Sequence, residues 1–407
     1  MKKTLWTKNF TLVTAASALG AVGGIAGGFA LSFLVFDETG STLASALILA
    51  IQLVPFFVLP LFLAPVMDRL PRKPFLVAGD LIDGVLYALM GLYLLKFEFS
   101  YAAYLGYSLL LACLESFDEL AFQSIYPKLI PEGMEQQGYA VSTTLYPILR
   151  VLMLPLAGIL LDAVGAAWIL IGQGGLSLLA ALIESNIDIT EHRREGGEKL
   201  FTLRQWRADI REAAEYLKNE RGVTGIFSYM AVTNGVASGY SSILVAFFRT
   251  FPGFTAAMYS LFSVFEFAGR TLGGAVQYKL KIAKEKKFGF TFLVYQIYEL
   301  MDMCLLWLPY PLMLANRALV GFLGANSATM RQAAMQTYIP EELRARLNAF
   351  QNMLITAASG LFALIIGALG EVLDYRLCVT ICGATAFIAA WLLVWRRRAD
   401  VRKIFEK

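Results

Sequence analysis

Asp68-Arg69-Leu70-Pro71-Arg72-Lys73 puts four charged side chains into six residues, wedged between apolar runs at about 43–66 and 74–95. Each run is long enough to cross the hydrocarbon core of a bilayer, which takes about 20 residues as a helix. A connection this short joins two antiparallel spans, and its cations belong on the cytoplasmic side of a membrane.

Working outward, the same pattern repeats. Of the 407 residues, 57% are hydrophobic and 16% are charged, and mean hydropathy is +0.60. Soluble proteins carry about 25% charged residues, so the composition defines a membrane protein. Twelve apolar stretches are predicted to span, at about 9–34, 43–66, 74–95, 99–125, 136–161, 165–184, 222–249, 255–278, 288–308, 310–332, 343–370 and 375–395. With the N-terminus inside, 29 of the 35 Lys and Arg residues fall on inside segments, and only Lys96, Arg249 and Arg376 lie in outside loops. That asymmetry predicts both termini in the cytoplasm. Four domains are expected: 1–185, a six-helix half; 186–221, a cytoplasmic linker; 222–395, a second six-helix half; and 396–407, a basic cytoplasmic tail.

The two halves carry an internal repeat. Ile130-Pro131-Glu132, then a span ending Ala157-Gly158-Ile159-Leu160-Leu161-Asp162, recurs 209 residues later as Ile339-Pro340-Glu341 and Ile366-Gly367-Ala368-Leu369-Gly370-Glu371. In the linker, Phe201, Trp206, Ile210 and Leu217 recur at helical spacing among Arg204, Arg207, Arg211 and Lys218, which predicts a basic amphipathic helix on the lipid surface. Arg396-Arg397-Arg398 would anchor the last span and attract anionic headgroups.

The opening hairpin resembles the loop between the second and third helices of the major facilitator superfamily, whose pattern is Gly, three residues, Asp-Arg, two residues, Arg-Lys. Here Ala64 and Pro71 replace glycines, while Asp68, Arg69, Arg72 and Lys73 match. Ala18-Leu19-Gly20, the Thr39-Gly40-Ser41 turn, Pro55 and Asp80 are similar to the macrolide-efflux-like, drug:proton antiporter branch. Arg150 to Gly158 is similar to the Gly-Pro motif of proton-linked exporters, with Pro155 and Gly158 kept and Leu154 in place of its first glycine. The resemblance implies an all-α membrane protein of twelve transmembrane helices in two pseudo-symmetric halves, with substrate held between them near the midplane. Asp68, Arg69, Arg72, Lys73, Asp80 and Asp118 are then expected to form a cytoplasmic gate.

Charges inside the spans need a reason, because one at the bilayer centre costs about 2.5–3.5 kcal/mol on insertion scales. Glu115 and Arg150 are predicted at similar depth on neighbouring spans, where they could pair. Glu266 and Arg270 stand four apart and can pair within one helix. For Glu299 and Asp302, on a span peripheral in the family, a partner such as Arg317 or an external pocket is expected rather than direct substrate contact. Glu115, Arg150, Glu266 and Arg270 are the candidates for proton coupling or the substrate cavity, since their spans line the cavity in the family. A carboxyl whose cation leaves during rocking changes its proton affinity. Tyr146, Tyr229, Tyr240, Tyr259, Phe265 and Gln52 could line an aromatic cavity, though 13% of the chain is aromatic.

No nucleophile with a base, metal-ligand cluster or phosphate loop is present, so no enzyme, cofactor, metal or ATP-driven pump is expected. The one histidine, His192, lies in the linker, which removes histidine-based proton relays. With the resemblance, the sequence predicts a monomeric secondary transporter of a bacterial-type inner membrane that exports hydrophobic or amphipathic, drug- or macrolide-type compounds by proton-coupled alternating access. Its partners would be an amphipathic small-molecule substrate, protons and membrane lipids, with no nucleic acid. A specific metabolite or lipid carrier, and a non-transporting receptor of the same fold, are the alternatives.

Overall fold

A computed structural model describes residues 4–67, 71–189, 211–212, 214–279 and 282–406. Twelve long helices run through the described residues. The first six are α1 (Lys8–Thr39), α2 (Thr42–Met67), α3 (Lys73–Lys96), α4 (Tyr101–Leu129), α5 (Glu135–Val164) and α6 (Ala166–Ser185). The second six are α7 (Arg221–Thr250), α8 (Ala256–Lys279), α9 (Lys284–Cys304), α10 (Tyr310–Tyr338), α11 (Glu341–Gly370) and α12 (Tyr375–Ala389), the last continued by a π-helical turn over Ala390–Trp395. A short α13 (Arg398–Glu406) follows. Eight of the twelve are long and apolar enough to cross a membrane. Charged residues interrupt the hydropathy of α4, α8 and α10, and it is these interruptions that carry much of the candidate chemistry.

The helix ends follow local chemistry. Thr7 caps α1, its Oγ1 accepting the Phe10 N–H at 3.3 Å, as an N-cap threonine does. Gly40 ends the helix with φ 64°, donating its N–H to the Phe36 carbonyl at 2.8 Å; this left-handed stop is one that glycine adopts without strain.

Backbone contacts divide the chain into two compact units. One holds the described residues of 4–40, 51–189 and 251–260; the other holds those of 41–50, 211–250 and 261–406. The first turns of α2 and α8 thus each belong to the unit opposite the rest of their helix. Inside the first unit α3 packs on α6 and α4, and α1 packs on α5 and α6. Inside the second unit α9 packs on α12 and α10, and α7 packs on α11 and α12. Adding six to each helix number of the first set gives the second, so the 209-residue repeat in sequence is a repeat in packing. Without a strong hydrophobic drive inside lipid, such contacts rest on close fit. In the glycine-rich α1, Gly23 and Gly27 pack on Gln173 of α6, while Gly20 and Gly24 line a cavity.

Each unit has a solid core toward one end. In the first, Phe10, Val13, Leu76, Ile125, Leu129 and Ile187 are buried together. Nearby, Lys8 Nζ lies 2.5 Å from Asp188 Oδ2, and its hydrogen bond and charge hold that carboxyl below the usual range. In the second, Val223, Phe227, Phe288, Leu347 and Val394 form the core, joined by Leu217 from the end of the linker. The rest of the linker's apolar stripe, Phe201, Trp206 and Ile210, lies outside the described residues. The basic tail is more than a charged anchor. Val401, Ile404 and Phe405 fall on one face of α13 and are buried in this core, while Arg398 and Arg402 stack over Trp395 and Phe288 at 5.4 Å.

The start of α2 is held by Glu371, the residue after α11. Its Oε1 accepts the Leu43 N–H at 2.9 Å and the Ser41 hydroxyl at 2.7 Å. Partial burial pushes the Glu371 carboxyl up, but these hydrogen bonds outweigh it and hold it below its ordinary 4.5. Its contribution is therefore full above pH 4.5 and lost as pH falls through the lowered folded value.

Two outcomes follow in thermal melts of the detergent-purified protein. Phe405→Ala removes a buried ring at a cost of about 3 kcal/mol and lowers Tm by about 5 °C or more. The Tm gap between wild type and Glu371→Gln is widest at neutral pH and closes as the pH falls below 4.5.

Candidate functional site

The first unit contains a cavity of about 1040 Å³. Six carboxylates line it: Asp80 and Asp83 from α3, Glu115, Asp118 and Glu119 from α4, and Glu184 from the last turn of α6. Among the described residues no lysine or arginine lines it. Phe56, Phe122, Tyr126, Tyr139 and Tyr146 supply aromatic wall, and Gly20 and Gly24 leave the α1 side open.

Local packing explains how the acids are held. The Asp118 carboxylate lies directly against Gly79, in space that a Cβ at position 79 would occupy, so it holds this place only while that residue is glycine. Glu184 is 3% exposed, and its Oε2 has no hydrogen-bond partner among the described residues; the same holds for Asp83 Oδ1. Glu119 is partnered by Gln123, which donates to its Oε1. A buried carboxylate oxygen without a donor is costly. Among the described residues no three His, Cys, Asp or Glu side chains are placed to share a metal ion, so the acids are spread around a chamber.

The expected site residues are distributed as follows. Glu115, Asp80 and Asp118 come together in the cavity. Arg150 is exposed on α5, one turn beyond Tyr146, the last residue of that helix to line the chamber. It makes no ion pair with Glu115 among the described residues, so the expected pairing by depth is corrected: similar depth did not bring the two side chains together. Glu266 and Arg270 pair within α8 in the second unit, Nη2 to Oε1 at 2.7 Å and Nε to Oε1 at 3.0 Å. Asp68 and Arg69 of the hairpin lie outside the described residues. Arg72 stands at the N-cap of α3, and Lys73 Nζ donates to the Ser185 carbonyl at the end of α6 at 2.7 Å. Pro155 lies inside α5, and Gly158 packs against the backbone of Ala256 and Ala257.

The second unit buries its own charges in pairs. Arg317 of α10 bonds Asp302 of α9, with both side chains buried, and Asn316 Oδ1 accepts from the same guanidinium at 3.0 Å. Tyr229 donates to buried Glu299 at 3.1 Å, which makes this tyrosine part of the core. The units therefore differ in chemistry within one packing plan: among the described residues the second buries one ion pair and a carboxylate that accepts from a tyrosine, while the first gathers six carboxylates around one cavity. Glu184, Asp83 and Gln173 went unrecognised from sequence as site residues. Glu184 closes a predicted span beside a polar linker and reads as a boundary residue.

The family model for the Major Facilitator Superfamily matches residues 10–297 and 300–406. The chain belongs to this superfamily. It is a multi-pass membrane protein with the fold of its transporters. No curated protein matches the sequence. Solved structures match over nearly the whole length. One is a bacterial homolog to the human lysosomal transporter Spinster, inward-facing and unoccupied, 14% identical, with 98% of this chain and 94% of that chain covered and a TM-score of 0.66. Another is a POT family transporter in complex with a thioalcohol-conjugated peptide, 12% identical, with 96% of each chain covered and a TM-score of 0.67. At these identities the likeness is one of major facilitator fold.

The Gly79–Asp118 contact is testable by a double-mutant cycle. Gly79→Leu is expected to lower Tm by an amount worth about 1–3 kcal/mol through overpacking, and Asp118→Ala in the same chain recovers most of the loss. Strictly additive effects would show that the two positions do not touch.

Proposed function

We propose that this protein is a proton-coupled secondary transporter that exports amphipathic compounds of the macrolide-efflux type, with a preference for those carrying positive charge. The observation that carries the reading is the chamber of six carboxylates with aromatic walls, lined by no cation among the described residues. Like charges this close repel through a poor dielectric, so the acids cannot all stay ionised without cations among them. Protons and a cationic substrate then compete for the same negative sites, and that competition is the elementary requirement of exchange. The aromatic walls give apolar and cation–π contact to the body of such a compound.

Glu115 is the assigned proton carrier, because it faces the chamber from the middle of α4. Glu266, paired with Arg270 within α8, is the second candidate for the proton. Asp68, Arg69, Arg72 and Lys73 would close the cytoplasmic side, with residues 1–185 and 222–395 moving as the two halves and both termini inside a bacterial-type inner membrane. The likeness of Arg150 to Gly158 to the exporters' Gly-Pro motif supports the outward direction.

The test is proton movement in proteoliposomes carrying an internal pH dye, challenged with lipophilic cations and macrolides. Wild type is expected to show compound-dependent proton flux that falls at least tenfold in Glu115→Gln. Flux undiminished in that variant would remove Glu115 as carrier, and no flux with any compound would overturn the exporter reading.

A further inference from the structure

The turn that joins α12 to α13 carries an aromatic panel. Phe292 of α9 packs on Trp395 and Trp391 of the π-helical turn, with ring centroids 4.7 Å and 5.2 Å away, and the two tryptophans lie 5.3 Å from each other. Phe288 stacks on Trp395 at 6.1 Å. Behind the panel, Trp391 Nε1 donates to Gln296 Oε1 at 2.6 Å, and Val401, Ile404 and Phe405 fix α13 in the core. In front of it, the Arg398 guanidinium lies over the Trp395 ring and that of Arg402 over the Phe288 ring, each 5.4 Å from the centroid. π-Helical turns are uncommon and concentrate at functional sites.

The cations of this segment are not equivalent. Lys403 pairs with Asp400 at 3.0 Å, and Arg397 donates to the Arg221 carbonyl at 3.4 Å. Arg398 and Arg402 stand four apart on the exposed side of α13 and meet no carboxylate among the described residues. A guanidinium stacked on a ring keeps its N–H edge for a phosphate, which it binds through two parallel hydrogen bonds. The stacking also removes rotamer freedom that so long a side chain would otherwise lose on binding. Residues 284–287 and 396–406, which meet where α9 packs on α13, hold eight Lys and Arg against three Asp and Glu, so the patch suits an anion. Toward the body of α12, Ile381, Ile388 and Leu392 are exposed at helical spacing, and Trp391 is 42% exposed beside them. Apolar face, tryptophans and arginines thus follow one another along the chain, as hydrocarbon, boundary and phosphate do across a leaflet.

We infer that Arg398 and Arg402, braced on this panel, form a binding site for an anionic phospholipid, with the two guanidiniums on its phosphate and its acyl chains along the exposed side of α12. The site lies wholly within the second unit. In the orientation proposed above it meets the cytoplasmic leaflet, whose anionic lipids give it a negative surface potential; only that orientation rests on the transporter reading. A bound lipid would brace α13 and, with it, the start of α7, where the Asp400 backbone packs against Gly222.

Tryptophan fluorescence of the full-length protein in detergent is titrated with phosphatidylglycerol carrying brominated chains, which quench on contact, and with phosphatidylcholine carrying the same chains. Wild type is expected to half-saturate at about tenfold less phosphatidylglycerol than phosphatidylcholine. Arg398→Gln with Arg402→Gln is expected to bring the two lipids within about twofold of each other, while Arg396→Gln with Lys218→Gln, which removes the same charge, keeps the preference. Arg398→Lys with Arg402→Lys keeps the charge but loses the fork and the stacking, and is expected to fall between. Equal affinity for the two lipids in wild type, or a preference that survives in the glutamine pair, would overturn the site. A full preference in the lysine pair would reduce it to diffuse charge attraction. Displacement of the brominated lipid by inorganic phosphate would make the ligand free phosphate and overturn the lipid assignment. Should the glutamine pair not fold, Arg398→Gln and Arg402→Gln are each expected to lose part of the preference, and singles indistinguishable from wild type count against the proposal. No substrate or proton gradient enters these titrations, so their failure leaves the proton-flux test untouched, and absence of proton flux leaves the lipid result standing.

Discussion

An ionised carboxylate removed from bulk water must find a cation, a hydrogen-bond donor or a proton, and the helices of the first unit gather six of them around one chamber. Everything else in that unit is arranged so that this is tolerated. Glycine at 79 lets Asp118 lie against α3, and glycines 20 and 24 leave bare backbone on the α1 wall between its small side chains Ser17 and Ala21. Gln123 supplies a donor to Glu119, while Glu184 and Asp83 each keep an oxygen unsatisfied. The second unit shows the alternative solution, in which Asp302 and Arg317 neutralise each other. Removing one partner of such a buried pair is strongly destabilising, which suits a scaffold. An uncompensated cluster suits an exchanger.

The repeat gives this asymmetry its setting. Both units pack the same helix pairs, so their differences are in side chains.

Much of this was legible in the sequence. Apolar length marked the twelve spans, and the 209-residue offset marked the repeat, because both are statements about order along the chain. Arg317 as partner to Asp302 was readable because each charge needed the other. Glu115 with Arg150 was not, since depth in the membrane can be estimated by counting while the side-chain contact cannot. Glu184 was hidden by its place at a span end, where a carboxylate is ordinary. The apolar face of α13 was hidden by arginines, which stack on aromatic rings instead of marking a solvated tail. Glu371 stood in the repeat from the start, but its role as a cap needed the first turn of α2 brought to it in space.

The most direct measurement is the proton count on binding. Purified protein in weakly buffered detergent solution is mixed with tetraphenylphosphonium, a cation that carries no proton of its own, and the pH change is followed with a dye. If cations and protons share the six-carboxylate chamber, binding releases protons into solution, and less is released from Glu115→Gln. Binding without proton release, or equally tight binding of the tetraphenylborate anion, would contradict the account.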